Sequence, residues 1–187
     1  FTAASLVLTE SIKIAEVYLK CKDWVQTQSI VIENNLLQSR TISRSKRMTQ
    51  EIILRLKNLT EDQLTLFTDG SLEDQRLLLW YAVCKTYPIM FEFATEVLHE
   101  KFLAMDMAVN EQDLIAFYLR KLDIHPQLDN ITSSTQRKIQ SQIFRMLREA
   151  NLINHENRIL RVIPTSRLTY ALSIDSHFAS QIYPAFP

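Results

Sequence analysis

Four histidines, two cysteines and several adjacent acids are the side chains with which this 187-residue chain could do acid–base, nucleophilic or metal chemistry. Their spacing supports none of it. His99, His125, His155 and His177 are scattered, with no HExxH pair and no cysteine at zinc-ligand distance. "LHEKF" and "NHEN" set a histidine beside a glutamate, but sequence neighbours point to different helix faces, so structural roles are expected. Glu61–Asp62 and Glu73–Asp74 stand at helix starts, where the macrodipole accounts for them. The single glycine, Gly70, cannot build a P-loop or a dinucleotide fingerprint, since those loops need several glycines for backbone to approach phosphate. No nucleophile elbow is present. A non-enzymatic protein is expected, with no cofactor, no metal and no small-molecule substrate.

What remains is charge. Lysines plus arginines and aspartates plus glutamates both number 21, yet they are segregated. Residues 38–57 carry six basic side chains and one acid, within "LLQSRTISRSKRMTQEIILRLK". Residues 137–167 carry seven basic side chains against Glu149 and Glu156, while residues 58–136 hold thirteen acids against five bases. Two positive ends flank a negative middle.

The elements that carry these charges are helical. Apolar residues recur at helical spacing to about residue 150, and one glycine is too few for a hairpin-rich β fold. Asp23 caps "DWVQTQSIVIENN", Thr60 and Gln63 have capping-box spacing, and Gly70 ends that helix. "WYAVCKTYPIMFEFATEVLHEKF" reads as packed core. Cys21 and Cys84 sit in apolar helical patterns and are expected to be free thiols in a reducing cytosol. The longest apolar run, "LLLWYAVC", has eight residues, where a membrane span needs about 20. No membrane contact is expected.

On a wheel of about 100° per residue, Met48, Ile52, Ile53, Leu56 and Leu59 share one arc. Arg44, Lys46, Arg47, Arg55 and Lys57 share the opposite one, and Arg40 lies on the connector ahead. With the preceding helix this has a helix-turn-helix outline, although the connector is longer than in the compact motif. In the last long helix Ile139, Ile143, Met146, Leu147 and Ala150 face inward, while Arg137, Lys138, Arg145 and Arg148 face out. "LINHENRILRVI" then predicts two short strands around "NHEN", the outline of a winged helix, with Arg158 and Arg161 in the hairpin and Arg167 after it. The expected fold is mainly α: a helical bundle with an N-terminal helix-turn-helix-like element and a C-terminal winged-helix-like element with a short β-hairpin. Three regions are expected: 1–60 helix-turn-helix-like, 61–130 the acidic and aromatic core, and 131–187 winged-helix-like.

"ENNLLQSRTISRSKR", "LLLWYAVCKTYPIMFEFATEVLHEKF" and "SSTQRKIQSQIFRMLREANLI", in this order, resemble the BrxA family of bacteriophage-exclusion (BREX) defence systems. The resemblance runs from near the N-terminus to about residue 165. It implies a bacterial, cytoplasmic, mostly helical protein without known enzymatic activity that binds double-stranded DNA and serves phage resistance, with other BREX proteins as candidate partners. It supplies no catalytic residues. The candidate DNA contacts come from charge: Arg40, Arg44, Lys46, Arg47, Arg55, Arg137, Lys138, Arg145, Arg148, Arg158, Arg161 and Arg167. The alternatives are a protein–protein adaptor whose basic ends dock acidic surfaces, and an RNA-binding helical module.

Overall fold

Side-chain caps written into the sequence set where the helices begin. In the computed structural model, which describes residues 5–122 and 133–186, α1 (Leu8–Cys21) leads to α2 (Trp24–Glu33), where Asp23 accepts from the Val25 and Gln26 amides at 2.6 and 3.0 Å. Thr41 caps α3 (Ile42–Leu56) through the Arg44 amide. Thr60 and Gln63 form the expected reciprocal capping box at α4 (Glu61–Asp69). Ser71 caps α5 (Leu72–Thr86), and Pro88, whose missing N–H costs nothing in a first turn, opens α6 (Pro88–Phe93). A π-helical segment, Ala94–His99, joins α6 to α7 (Glu100–Leu103). Then come α8 (Glu111–Leu122), α9 (Ser133–Glu149), α10 (Ser166–Ala171), a 3-10 turn at Ser173–Asp175 and α11 (Ser176–Ile182). The connector expected at 124–130, with His125, lies outside the described residues.

Gly70 ends α4 as expected, but in extended backbone (φ −76°, ψ 177°) rather than the left-handed one. It is needed for space, because a Cβ there would collide with the Leu66 carbonyl.

α5 is the centre of the molecule. Every residue from Leu77 to Cys84 is buried, so this helix is apolar all round and needs neighbours on every side. α1, α3, α4, α6 and α11 supply them. One apolar core runs from Leu6 to Tyr183 and draws on all three regions of the chain. Cys84 is buried in it, while Cys21 is half-buried, and both are free thiols.

The C-terminal tail belongs to this core. Tyr183, fully buried, donates its hydroxyl to the Leu77 carbonyl at 2.6 Å, and the Trp80 indole donates to the Ile182 carbonyl at 3.4 Å. Phe178 stacks on Phe91 with ring centres 4.9 Å apart and meets Tyr81 edge-on at 5.4 Å. Beside them Asp175 accepts from Tyr81 (2.6 Å) and Lys85 (2.5 Å).

The structure is mainly helical, and the expected β-hairpin is not formed as strands. Among the described residues no strand forms; two isolated antiparallel bridges join Ile153 to Ile159 and Ala108 to Arg158. Asn154 Oδ1 accepts from the Glu156 and Arg158 amides, and Asn157 is left-handed (φ 59°), so the chain reverses within four residues. The Leu160 amide still pairs with the Leu152 carbonyl (2.8 Å). Two residues on, Val162 donates instead to the Pro184 carbonyl (3.1 Å), so the C-terminal segment takes the backbone that a second strand would have used.

Tyr183→Ala is expected to cost about 3–5 kcal/mol, as for other large aromatic truncations in a core. Ile174→Ala, at a position 85% exposed, should stay within about 0.5 kcal/mol of the parent. Urea unfolding of both variants checks this, and equal costs would mean that the tail is not part of the folding core.

Candidate nucleic-acid interface

α3 takes its direction from two small residues. Ser45 and Thr49, buried on its inner face beside Ile52, Ile53 and Leu56, let it pack closely on α2. That leaves Arg44, Lys46, Arg47 and Gln50 exposed, with Arg40 exposed on the connector and Ile42 76% exposed at the helix start. No acid occupies the first turn. The one acid of α3, Glu51, points inward to Tyr87 and Arg55.

Arg55 does not belong with the exposed bases. The helical wheel placed it on the polar arc, but it is fully buried. Its Nη1 donates to the Ser5 carbonyl at 2.7 Å, its Nη2 to Glu51 at 2.9 Å, and its guanidinium lies 5.7 Å from the centre of the Tyr87 ring. The reason is position along the helix. Near its C-terminal end α3 is covered by the segment before α1 and by Tyr87 at the α5–α6 junction, so an arc open to water at one end is closed at the other. Burial pushes the Glu51 carboxyl up, but the Tyr87 hydroxyl and the Arg55 guanidinium outweigh it and hold it below its ordinary value. Burial and the bond to Glu51 push Tyr87 up to about 12.

α9 repeats the design with different details. Ile143, Phe144, Met146, Leu147 and Ala150 are buried, while Arg137, Lys138, Arg145 and Arg148 are exposed. Arg145 pairs with Glu149 one turn on (2.8 Å), and the other oxygen of Glu149 accepts the Leu6 amide (2.7 Å). Arg148 donates to Asn157 Oδ1 (2.8 Å) and lies 5.8 Å from the Phe144 ring centre, which holds its head over the groove. That groove, open and about 410 Å³, is walled by Arg137, Gln140, Ser141 and Arg148 of α9, with Glu111 and Asn157 opposite. Arg158 and Arg161 are exposed just beyond the turn. Arg167 is exposed in the first turn of α10 but is held by both oxygens of Asp69 on α4 (3.0 and 3.2 Å). Asn157 was not among the candidates; its only signal in the sequence is its place in "NHEN".

Comparison with known proteins places this architecture. Residues 1–175 match the family model described as BrxA. The chain belongs to the BrxA family. Two relatives named "BREX protein BrxA" are each 26% identical to it. The one from Bacillus cereus (strain H3081.97) matches over 125 residues, 67% of this chain and 62% of that protein. The one from Escherichia coli O9:H4 (strain HS) matches over 153 residues, 82% of this chain and 72% of that protein. This chain thus spans less than two thirds of the Bacillus relative. A crystal structure of an uncharacterized protein from Magnetospirillum magneticum has the same fold: TM-score 0.84 at 20% identity, covering 98% of this chain and 96% of that one.

In this BrxA-family chain four of the five bases of the acidic middle are held by carboxylates. Arg76 pairs with Glu73, Lys85 with Asp175, Lys101 with Asp106 and Asp113, and Lys121 with Glu92 and Glu96. Lys22 reaches Glu61 from the end of α1. Among the described residues no ion pair holds Arg40, Arg44, Lys46, Arg47, Arg137, Lys138, Arg158 or Arg161. Nor does any helix of the described residues have the length and apolarity to cross a membrane.

Arg55→Ala is expected to destabilise by about 3–5 kcal/mol, the usual result of removing one partner from a buried ion pair. Arg44→Ala and Arg47→Ala should change stability by less than about 0.5 kcal/mol; urea unfolding separates the two classes. The Tyr87 folded pKa lies above its ordinary value of 10.0. Its contribution to stability is therefore intact below pH 10 and lost as pH rises toward about 12. Tyr87→Phe is expected to flatten that limb of the stability–pH curve, and an unchanged alkaline limb would refute the assignment.

Proposed function

We propose that this chain is a non-enzymatic, double-stranded-DNA-binding component of a bacterial BREX anti-phage system, working in the cytoplasm. Its carrying observation is the contrast in charge pairing. Four of the five bases of residues 58–136, Arg76, Lys85, Lys101 and Lys121, hold carboxylates, whereas among the described residues Arg44, Lys46 and Arg47 of α3, Arg137, Lys138 and Arg148 of α9, and Arg158 and Arg161 after the turn hold none. Unpaired arginines and lysines on exposed helix faces suit a phosphate backbone, whose contacts dominate affinity and carry no sequence information by themselves. Gln140 and Ser141, between Arg137 and Arg148 in the α9 groove, are placed to reach base edges.

Element order supports the same reading. α2, the connector and α3 follow a helix-turn-helix outline. The backbone at Met107–Val109, then α8, α9 and the 154–157 turn, follow the order of a winged helix, with bonds from Ile159 N to Met107 O (2.7 Å) and Val109 N to Asn157 O (2.9 Å) standing where its small sheet would be. The BREX assignment draws on the names of the Bacillus and Escherichia relatives.

Fluorescence anisotropy with a random-sequence duplex, titrated at several salt concentrations, tests the proposal. Log affinity is expected to fall linearly with log salt, at a slope of about −0.9 per phosphate neutralised. Arg44→Ala/Arg47→Ala and Arg137→Ala/Lys138→Ala should each reduce the steepness by about 1.8, two contacts' worth. No binding at low salt would overturn the proposal in favour of an adaptor whose basic ends dock acidic protein surfaces. Tighter binding to an RNA duplex of matched length would favour the RNA-binding reading.

A further inference from the structure

After α2 the chain turns twice through left-handed backbone, at Asn35 (φ 46°) and Gln38 (φ 49°), before reaching α3. These turns lay the connector alongside α1 and leave an open groove of about 470 Å³ between them. Lys13, Glu16 and Lys20 of α1 form one wall, and Asn34, Asn35 and Gln38 line the other. We propose that this groove is an additional nucleic-acid contact, taking the sugar–phosphate backbone of a strand that continues past the start of α3, with Lys13 and Lys20 as its phosphate partners. The inference rests on the DNA reading above and extends its footprint onto α1.

Charge, spacing and hydrogen-bonding capacity point the same way. Lys13 and Lys20 are seven residues apart on one face, about 10 Å along the helix axis. Neither lysine is committed to an acid. Glu16 lies between them at helical spacing, but Lys13 turns instead to the Leu36 carbonyl at 3.3 Å, a neutral partner that a phosphate oxygen outcompetes. Asn35 spends its carbonyl oxygen on the Ser39 amide (3.0 Å), so its NH₂ is left to donate. Gln38, exposed on the rim, offers a second amide. Val17 and Leu36 also line the groove, and the other six lining side chains are polar or charged. It also adjoins the basic cluster directly: Gln38 is two residues before Arg40 and three before the α3 cap, Thr41.

The test compares the parent chain, Lys13→Ala/Lys20→Ala, Gln38→Lys and Arg44→Ala/Arg47→Ala. Each is titrated with the same random duplex across a salt series, with circular dichroism melting to confirm the fold. The lysine double variant is expected to melt like the parent and to lose about 1.8 from the steepness of its salt dependence. Gln38→Lys should gain about 0.9. If both variants bind like the parent while Arg44→Ala/Arg47→Ala weakens binding, the groove is not a contact and the DNA reading stands without it. If the parent does not bind duplex at low salt, the reading and this inference fall together.

Discussion

A guanidinium sealed from water, Arg55, is the constraint around which the basic surface is arranged. A buried charge is tolerated only when it is paired and its donors are met. Here the partners come from three parts of the chain: the Ser5 carbonyl before α1, Glu51 one turn back, and the face of Tyr87 at the α5–α6 junction. Those contacts tie the C-terminal end of α3 to the core. They also occupy the helix's only acid, so the exposed bases nearer its N-terminus have no carboxylate of their own to fold onto. The segment that receives Arg55 also reaches α9, since the amide of Leu6 donates to Glu149. The short segment before α1 therefore contacts the C-terminal ends of both basic helices.

Neutrality of the whole chain hides how differently its charges are used. Lys121, nearly buried, sits between Glu92 and Glu96 with the Phe117 ring 5.4 Å away. Lys101 bridges the α7–α8 connection through Asp106 and Asp113. Lys85 and Tyr81 hold the tail through Asp175. These pairs join elements and are partly shielded from solvent, where a charge without a partner is costly. Among the described residues Arg44, Lys46 and Arg47 of α3 and Arg137 and Lys138 of α9 make no such pair, so packing gives no account of them.

Much of this was legible in the sequence because it follows from local rules. The caps at Asp23 and Thr60, the inner faces of α3 and α9, and the uninterrupted apolar run of α5 each depend on residues within a turn or two. The misses are long-range. A helical wheel holds Arg55 on the polar arc because it knows nothing of Ser5 or Tyr87, which are 50 and 32 positions away. The alternation in "RILRVI" predicts a strand that does not form, because competition from the Pro184 carbonyl for the Val162 amide is invisible locally. The tail had no periodicity to read, since its role is carried by single anchors, Phe178 and Tyr183, in holes made by α5 and α6. The π-helical turn at Ala94–His99 had no signal in the residue pattern.

Helix polarity gives the strongest reason to treat the basic ends as functional. An N-terminus favours acids and disfavours cations, by about 0.3–1 kcal/mol per charge. This chain follows the rule where packing is its only concern: Glu61 and Asp62 open α4, Glu73 and Asp74 open α5, and Glu111 and Asp113 open α8. The first turns of α3 and α9 contain no acid at all, and α3 carries Arg44, Lys46 and Arg47 within its first six residues. α1 also carries an acid, Glu10, in its first turn, and α3 stands apart from these four in placing three cations within its first six residues. A phosphate at the start of α3 would reverse the sign, since it meets a positive dipole and unpaired cations together. Stability alone gives the chain no reason to build such ends; an anionic partner does.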